Sequence, residues 1–299
     1  MPKIKKIAIL TGGDSSERSI ALASAKNVAM ILRKKYQVQV FDFYRDLPQW
    51  LRTYKNFQVA IPVFHGPGGE DGVIQGFLKT LRMPFIFSDV EAHAVGMDKF
   101  LSKHLAEKIG LLIAPHKLLS KPAKVKYTKK VVVKPLSGGS SIGITIADSQ
   151  AKLNRAISQA FIYSNKVLLE DYLPGEEFTV AVIDQNGKNV ALPVIQIISK
   201  NKFFDYKSKY DASLVQEICP APIKKSLAKK MQDQAIRMHQ ALGARHLSRT
   251  DFIVSRGKVY FLEINTIPGI TKNSLLPKTL RAAGLDFGQL LEAWFKSVI

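Results

Sequence analysis

The chain has a single cysteine, Cys219, among its 299 residues. That excludes an internal disulfide and a cysteine-cluster metal site, and it fits a reducing compartment. A lone cysteine of this kind reads as a small hydrophobe rather than a nucleophile. Long apolar runs are missing too. No stretch approaches the roughly 20 apolar residues of a membrane-spanning helix, and Ile7 to Leu10, behind Lys3, Lys5 and Lys6, is too short for a secretion signal. A cytoplasmic protein with no membrane partner is expected. With only 14 prolines and 19 glycines, and 46% hydrophobic residues, the chain is globular and can bury a substantial core. Acids are scarce, 24 against 44 lysines and arginines, for a net charge of +20. Such an excess can mean nucleic acid. Yet no arginine-rich motif, zinc-finger spacing or aromatic RNA-binding signature accompanies it, and the lysines between Lys121 and Lys130 read as a solvated edge. A positive field also draws in an anionic small molecule. Internal repeats are absent, and the length implies two or three packed units.

What is present is organised around a stretch near the C-terminus. Arg249 to Val254 and Val259 to Asn265 read as strands joined by Ser255-Arg256-Gly257-Lys258. Side chains alternate along a strand, so a two-residue loop pairing Ser255 with Lys258 would put Asp251 and Glu263 on opposite faces. A three-residue loop, with a bulge at Gly257, puts Asp251, Glu263 and Asn265 on one face. The odd loop is expected. Three oxygen ligands without His or Cys suit a hard cation such as Mg²⁺, which keeps water and substrate phosphates in its shell and so implies a nucleotide. The same two acids would also pass for solvated strand residues.

Upstream, strands and helices alternate through the first hundred residues, which favours a parallel sheet. Ile4 to Leu10 is a strand that stops at Thr11-Gly12-Gly13, and a helical pattern runs from about Ser16 to Lys35. This order makes an anion or ligand site at a helix N-terminus, with Glu17 in the first turn, where a favourable helix charge is the plainer role. Gln37 to Tyr44 and Val59 to Phe64 are further strands. The latter ends in His65-Gly66-Pro67-Gly68-Gly69-Glu70-Asp71-Gly72, a ligand-facing loop at the carboxyl edge of a sheet. A helix spans Val73 to Leu81, and Asp98 caps another that reaches Ile109.

A second unit starts at Pro115. Val131 to Val133 leads into Lys134-Pro135 and Leu136-Ser137-Gly138-Gly139-Ser140-Ser141-Ile142-Gly143, then strand Ile144 to Ile146. The glycine spacing matches a P-loop, but Ile144-Thr145 stands in place of Lys-Ser/Thr and strands flank it on both sides, so that motif is excluded. A Gly/Ser hairpin loop can instead fold over phosphates as a flap, with Lys134 beside it. A helix covers Gln150 to Tyr163. Glu170 and Glu177 bracket an Asp171-Tyr172-Leu173-Pro174-Gly175 hinge that could meet an adenine and a ribose, although acids at strand ends are ordinary surface chemistry. Val190 to Ile198 reads as one strand. Ser199 to Ala221 shows no period and carries four aromatics, which suggests a lid. A helix from Lys224 to Leu242 precedes the hairpin, and two short helices end the chain.

Together, GGDSSERS, HGPGGEDG, MDK, VVVKP with GGSSIG, LLEDYLPGEEFTV, FFDYKSKY, Arg249-Thr250-Asp251 and LEINTIPGITKNSLLP resemble the D-alanine:D-alanine ligase family of ATP-grasp enzymes over essentially the whole chain. The resemblance implies a mixed α/β, three-domain ATP-grasp fold: an N-terminal parallel α/β unit (1–98), a central unit with the flap (99–180), and a C-terminal unit with the lid and metal site (181–299). It also implies ATP-dependent joining of two D-alanines through an acyl phosphate for peptidoglycan, with two Mg²⁺ ions for which Mn²⁺ can substitute, and a homodimer.

By the same resemblance, Lys99, Lys134 and Ser140 contact ATP phosphates, and Glu170, Leu173 and Glu177 hold adenine and ribose. Asp251, Glu263 and Asn265 bind the metal. Arg249 and Gly269 stabilise the tetrahedral oxyanion. Glu17 meets the first D-alanine with His65 nearby, and Ser274 and Leu275 take the second's carboxylate. Ser141, Lys209 and Tyr210 close the site. The Lys209-Tyr210 pair resembles dipeptide formers rather than relatives that accept D-lactate or D-serine. An inactive, basic nucleotide- or nucleic-acid-binding protein is the different-class alternative. Three departures stand out: Phe87-Ser88-Asp89 where relatives often have Gly-Ser-Gly, Phe204 where many have Tyr, and Ser137-Gly138-Gly139 without the Arg-Glu common in the flap.

Overall fold

A computed structural model describes residues 4–139, 142–199 and 215–299. The β-branched run near the N-terminus forms β1 (Lys6–Thr11), which pairs in parallel with β2 (Gln37–Asp42) on one side and β3 (Val59–Pro62) on the other. Between β1 and β2, α1 (Arg18–Leu32) buries Ala21, Ser24, Ala25, Val28, Ala29 and Leu32. Those positions recur at three- and four-residue intervals, and their small side chains let the helix approach the sheet closely. After α2 (Phe43–Thr53) and α3 (Val73–Thr80), α4 (Val90–Met97) and α5 (Lys99–Lys108) follow almost without a break. Asp89 caps α4 through Val90 N–H, and Asp98 caps α5 by accepting from Phe100 and Leu101 N–H, both at 2.9 Å. The helix α4 has no counterpart in the sequence reading.

Two further sheets complete the fold, a four-stranded antiparallel one and a larger one that is antiparallel except for one parallel edge strand. A four-stranded sheet runs β5 (His116–Leu119), β8 (Val167–Asp171), β6 (Val131–Pro135), β7 (Thr145–Ala147), and α6 (Gln150–Tyr163) covers it. Its core, which includes Val133, Leu153, Ile157, Val167 and Leu169, contains no residue of the other sheets. The larger, seven-stranded sheet joins β4 (Leu112–Ile113), β9 (Glu176–Gln185), β10 (Lys188–Ala191), β11 (Ile195–Ser199), β12 (Val215–Ile218), β13 (Leu247–Ser255) and β14 (Lys258–Asn265). Helix α7 (Lys225–Ala241) packs on it, and α8 (Leu275–Ala282) and α9 (Phe287–Val298) close the chain. One hydrophobic cluster links the N-terminal sheet to this part, with Ile7, Val28 and Ile61 in the same core as Ile183, Leu247, Leu280 and Trp294. The lysines at 121, 124, 126, 129 and 130 are exposed.

Three sequence expectations are corrected. The strand expected over Val190 to Ile198 is two strands, β10 and β11, that pair with opposite ends of β9 and are separated at Pro193, which has no N–H to give a ladder. Within the aperiodic stretch, β12 pairs with β11; it is short and lies at a sheet edge, so burial imposes no clear alternation on it. The hairpin loop has two residues, not three. Ser255 pairs with Lys258, and Arg256 (φ 48°) and Gly257 (φ 72°) make a turn with both central residues in the left-handed region.

Phe87 is fully buried and also holds a positive φ of 74°. Its N–H donates to His246 Nδ1 at 2.8 Å, and its ring meets Trp294 edge-on at 6.3 Å. The ring contributes packing where the backbone alone favours glycine. Phe87→Ala is expected to destabilise the protein by about 3–5 kcal/mol. Phe87→Gly should cost about 1 kcal/mol less, because glycine has no penalty at positive φ. Urea unfolding of both variants checks this, and an alanine variant as stable as the glycine one would contradict it.

Candidate active site

The four-stranded and seven-stranded sheets enclose a cavity of about 370 Å³. Val132, Ile144, Ile146, Ile197, Ile253 and Leu262 give it apolar walls suited to a flat ring, and Lys134, Glu170, Glu177, Asp251 and Glu263 give it a polar rim. Leu173 lies in the same wall. Glu263 also lines a small adjoining pocket with Lys99, Gly138 and Gly139, so the cavity leads towards the flap.

On the β13–β14 hairpin, Asp251 pairs directly with Glu263 and Arg249 with Asn265, so all four lie on one face. The even loop would have separated the carboxylates. A bulge between Asp251 and Phe252 restores the parity, because Phe252 pairs with Phe261 and leaves Leu262 as an extra residue. Both Leu262 and Glu263 then face the cavity, whereas Phe261 and Ile264 are buried on the other side. Asp251 is held from three directions. Arg249 donates to it from Nε (2.9 Å) and Nη2 (2.8 Å), Thr179 Oγ1 donates at 2.5 Å, and Asn265 Nδ2 donates at 3.3 Å. Among the described residues no cluster of three or more His, Cys, Asp or Glu side chains forms. A cation here would rest on two carboxylates and an amide, a hard-oxygen set that fits Mg²⁺ with phosphate oxygens completing its shell.

Glu170, in the same cavity lining, is buried between two lysines. Lys134 Nζ lies 2.7 Å from its Oε2 and Lys103 Nζ 3.1 Å from its Oε1. Burial opposes the carboxylate's charge, but the two ammonium groups prevail and hold its pKa at about 2. Burial likewise draws the Lys103 amine down, against the pull of Glu170. Lys99 donates to the Gly138 carbonyl at 2.6 Å.

The N-terminal loops meet the flap and the C-terminal loop. A Cβ on Gly139 would lie 2.5 Å from Glu17 Oε2, so a larger residue there would require the Glu17 carboxylate to move. Ser15 Oγ donates to the His65 carbonyl at 2.6 Å and receives Glu17 N–H at 3.2 Å. His65 Nε2 is 3.2 Å from Ser24 Oγ, which accepts from Ile270 N–H at 3.3 Å, while Asn27 donates to the Ile270 carbonyl at 2.7 Å. Helix α1 thereby clamps the loop that carries Gly269 and Ser274, where a Cβ on Gly269 would lie 2.9 Å from Ser274 Oγ. Ser274 also accepts from Thr271 N–H at 3.1 Å and precedes Leu275 at the start of α8. Burial, and then the Arg249 charge, lower the His65 pKa to about 4 and keep the ring neutral. Ser140, Ser141, Phe204, Lys209 and Tyr210 lie outside the described residues.

The family model for the D-Ala D-Ala ligase C-terminus matches residues 113–295. The chain belongs to the D-alanine–D-alanine ligase family. A D-alanine–D-alanine ligase of Desulfotalea psychrophila is 41% identical to it, an alignment covering 96% of this chain and 92% of the relative. The crystal structure of the ligase from Bacillus anthracis superposes with a TM-score of 0.84 at 30% identity, covering 98% of this chain and 97% of that one. The same enzyme in complex with ATP gives 0.83 at 29%, covering 99% and 97%. The fold is therefore the mixed α/β ATP-grasp fold of this family.

Sequence reasoning missed Lys103, Thr179, Ser24 and the charge state of Glu70. Thr179 had a signal: in β9 it alternates with buried Phe178 and Val180, which places it on the face of Glu177. Lys103 follows Lys99 by four residues and so shares its helix face. Glu70 accepts from Gly66 N–H at 2.8 Å, and burial, followed by the charge of Glu17, raises its carboxyl pKa to about 8 from 4.5. Between those values the folded state holds a proton that the unfolded chain has lost, so Glu70 makes stability fall as pH rises. Glu70→Gln is expected to gain on the native protein by about 2 kcal/mol between pH 5 and pH 8. Denaturant melts across that range measure it, and a pH-independent difference would refute the raised pKa.

Proposed function

We propose that the protein is an ADP-forming ligase that joins two D-alanines into D-alanyl-D-alanine for peptidoglycan synthesis. The observation that carries this reading is one continuous site. Lys134, Glu170, Asp251 and Glu263 line one cavity, Arg249 and Asn265 share the face of the last two, and Gly139 of the flap lies beside Glu17 of the N-terminal loop. Adenine lies between the apolar walls, with its amino edge towards Glu170 and the Leu173 backbone, and the ribose meets Glu177. The phosphates extend towards Lys134, Lys99 and Ser140. Two Mg²⁺ ions held by Asp251, Glu263 and Asn265 would neutralise phosphate charge there, a role Mn²⁺ can also fill.

The chemistry follows from a carboxylate's poor reactivity. Glu17, with neutral His65 behind it, holds the ammonium of the first D-alanine so that a carboxylate oxygen faces the γ-phosphorus. Transfer of that phosphoryl group forms the acyl phosphate and ADP. The amine of the second D-alanine, its carboxylate held by Ser274 and the Leu275 N–H, then attacks the acyl carbon. The fixed guanidinium of Arg249 and the Gly269 N–H stabilise the oxyanion. Its collapse expels phosphate and leaves the peptide bond. Ser141, Lys209 and Tyr210 shield the reacting centre, and D-alanine is the substrate in both subsites.

The units 1–98, 99–180 and 181–299 contribute the first amino-acid site, the flap side and the metal side respectively. We further assign a homodimer in the cytoplasm without nucleic-acid or membrane partners; no helix among the described residues is long and apolar enough to cross a membrane. Phosphate release with ATP and Mg²⁺ should depend on D-alanine and exceed release with D-lactate or D-serine as acceptor. Release that ignores D-alanine would refute the assignment. Arg249→Ala is expected to lower turnover by roughly two orders of magnitude, and near-normal turnover would remove Arg249 from the mechanism.

A further inference from the structure

Burying an ammonium group is strongly unfavourable unless a counter-charge sits beside it. Lys103 is nonetheless 0% exposed, with its Nζ 3.1 Å from Glu170 Oε1 and 5.9 Å from the centre of the Phe261 ring. At 3.1 Å the contact with Glu170 joins an ammonium to a carboxylate, a charge-assisted pair. One turn earlier on the same face of α5, Lys99 reaches the flap carbonyl of Gly138. The helix thus delivers one cation to the phosphate end of the site and a second beneath the base end.

Glu170 is held by two lysines that differ in access. Lys134 and Glu170 line the cavity, whereas Lys103 is not among its lining residues. A phosphate drawn to Lys134 competes with Glu170 for the same ammonium group. If Lys134 were the sole partner, its departure would strand a carboxylate that is 2% exposed, and the competition would favour the closed ion pair. We propose that Lys103 is a positioning residue, the permanent counter-ion of Glu170, which leaves Lys134 able to exchange its carboxylate for phosphate when ATP enters. This rests on reading the cavity as the nucleotide site.

The test compares ATP and adenosine binding by calorimetry in the wild type, Lys103→Met, Glu170→Gln and the double variant. Lys103→Met should weaken ATP about tenfold or more, yet adenosine by less than about threefold, because adenosine has no phosphate to compete for Lys134. The defect should appear in the KM for ATP rather than in kcat. With Glu170→Gln no carboxylate competes, so the double variant should bind ATP within about threefold of Glu170→Gln alone. A general packing defect would persist in that background. Wild-type ATP affinity in Lys103→Met, or a loss of about tenfold on adding Lys103→Met to Glu170→Gln, overturns the proposal. If Lys103→Met does not fold, the Glu170→Gln background alone decides, since no unpaired carboxylate is buried there. A wild-type protein that binds neither ATP nor adenosine removes the nucleotide site itself, whereas wild-type binding without an effect of Lys103→Met removes only the role of Lys103.

Discussion

The site depends on one extra residue in one strand. Ser255 and Lys258 close a two-residue turn, and along regular strands from that turn Asp251 and Glu263 would face opposite ways. The bulge that leaves Leu262 unpaired shifts the register by one and brings both carboxylates, with Arg249 and Asn265, to the cavity side. The core enforces the shift. Val259, Phe261 and Ile264 are all buried on the opposite face, and their spacing of two and then three residues is satisfied only if Leu262 and Glu263 turn the same way. Apolar burial on one side of the sheet thereby fixes the chemistry on the other.

Once gathered, the charges are held by pairing rather than by solvent. Asp251 is gripped by Arg249, Thr179 and Asn265, and Glu170 by Lys103 and Lys134. Asp251, so constrained, is set in its geometry before any ligand arrives, which is what positioning and electrostatic stabilisation require. The positive balance of the chain is only partly spent in this way. Lys99, Lys103, Lys134 and Arg249 stand in or beside the site, whereas the run from Lys121 to Lys130 is exposed at the edge of the small sheet. Nothing in the structure explains that surface excess.

Elements with an unbroken hydrophobic period were legible in the sequence, which is why β1, α1 and α6 lie close to their expected bounds. Breaks in the period were not. Pro193 divides one apparent strand into two, β12 is a short edge strand, and the bulge hides in a three-residue step between Phe261 and Ile264. The face shared by Asp251 and Glu263 was expected for the wrong reason, an odd loop instead of an even loop with a bulge. Site residues carried by the glycine-rich and acid-amide motifs were named through the family resemblance that those motifs make together, since each alone is ordinary. Lys103 and Thr179 could not be named, since a lysine on a helix and a threonine in a strand are ordinary until the fold buries them beside a charge.

The three sheets are joined by two kinds of contact. The N-terminal sheet shares a hydrophobic core with β9, β13 and α9, so separating them exposes apolar surface. The four-stranded sheet keeps a core of its own, and its links across the cavity include Lys99 to Gly138, Lys103 to Glu170, and Ser255 Oγ to the Pro174 carbonyl at 2.6 Å. Polar links contribute little net stability each beside a shared apolar core, although the buried Lys103–Glu170 pair is closed to water. The cavity therefore lies where the structure yields most easily, between a sheet that is self-sufficient and one that is anchored. A ligand that bridges Lys134 on the first and Asp251 on the second supplies the contact that the protein alone does not make.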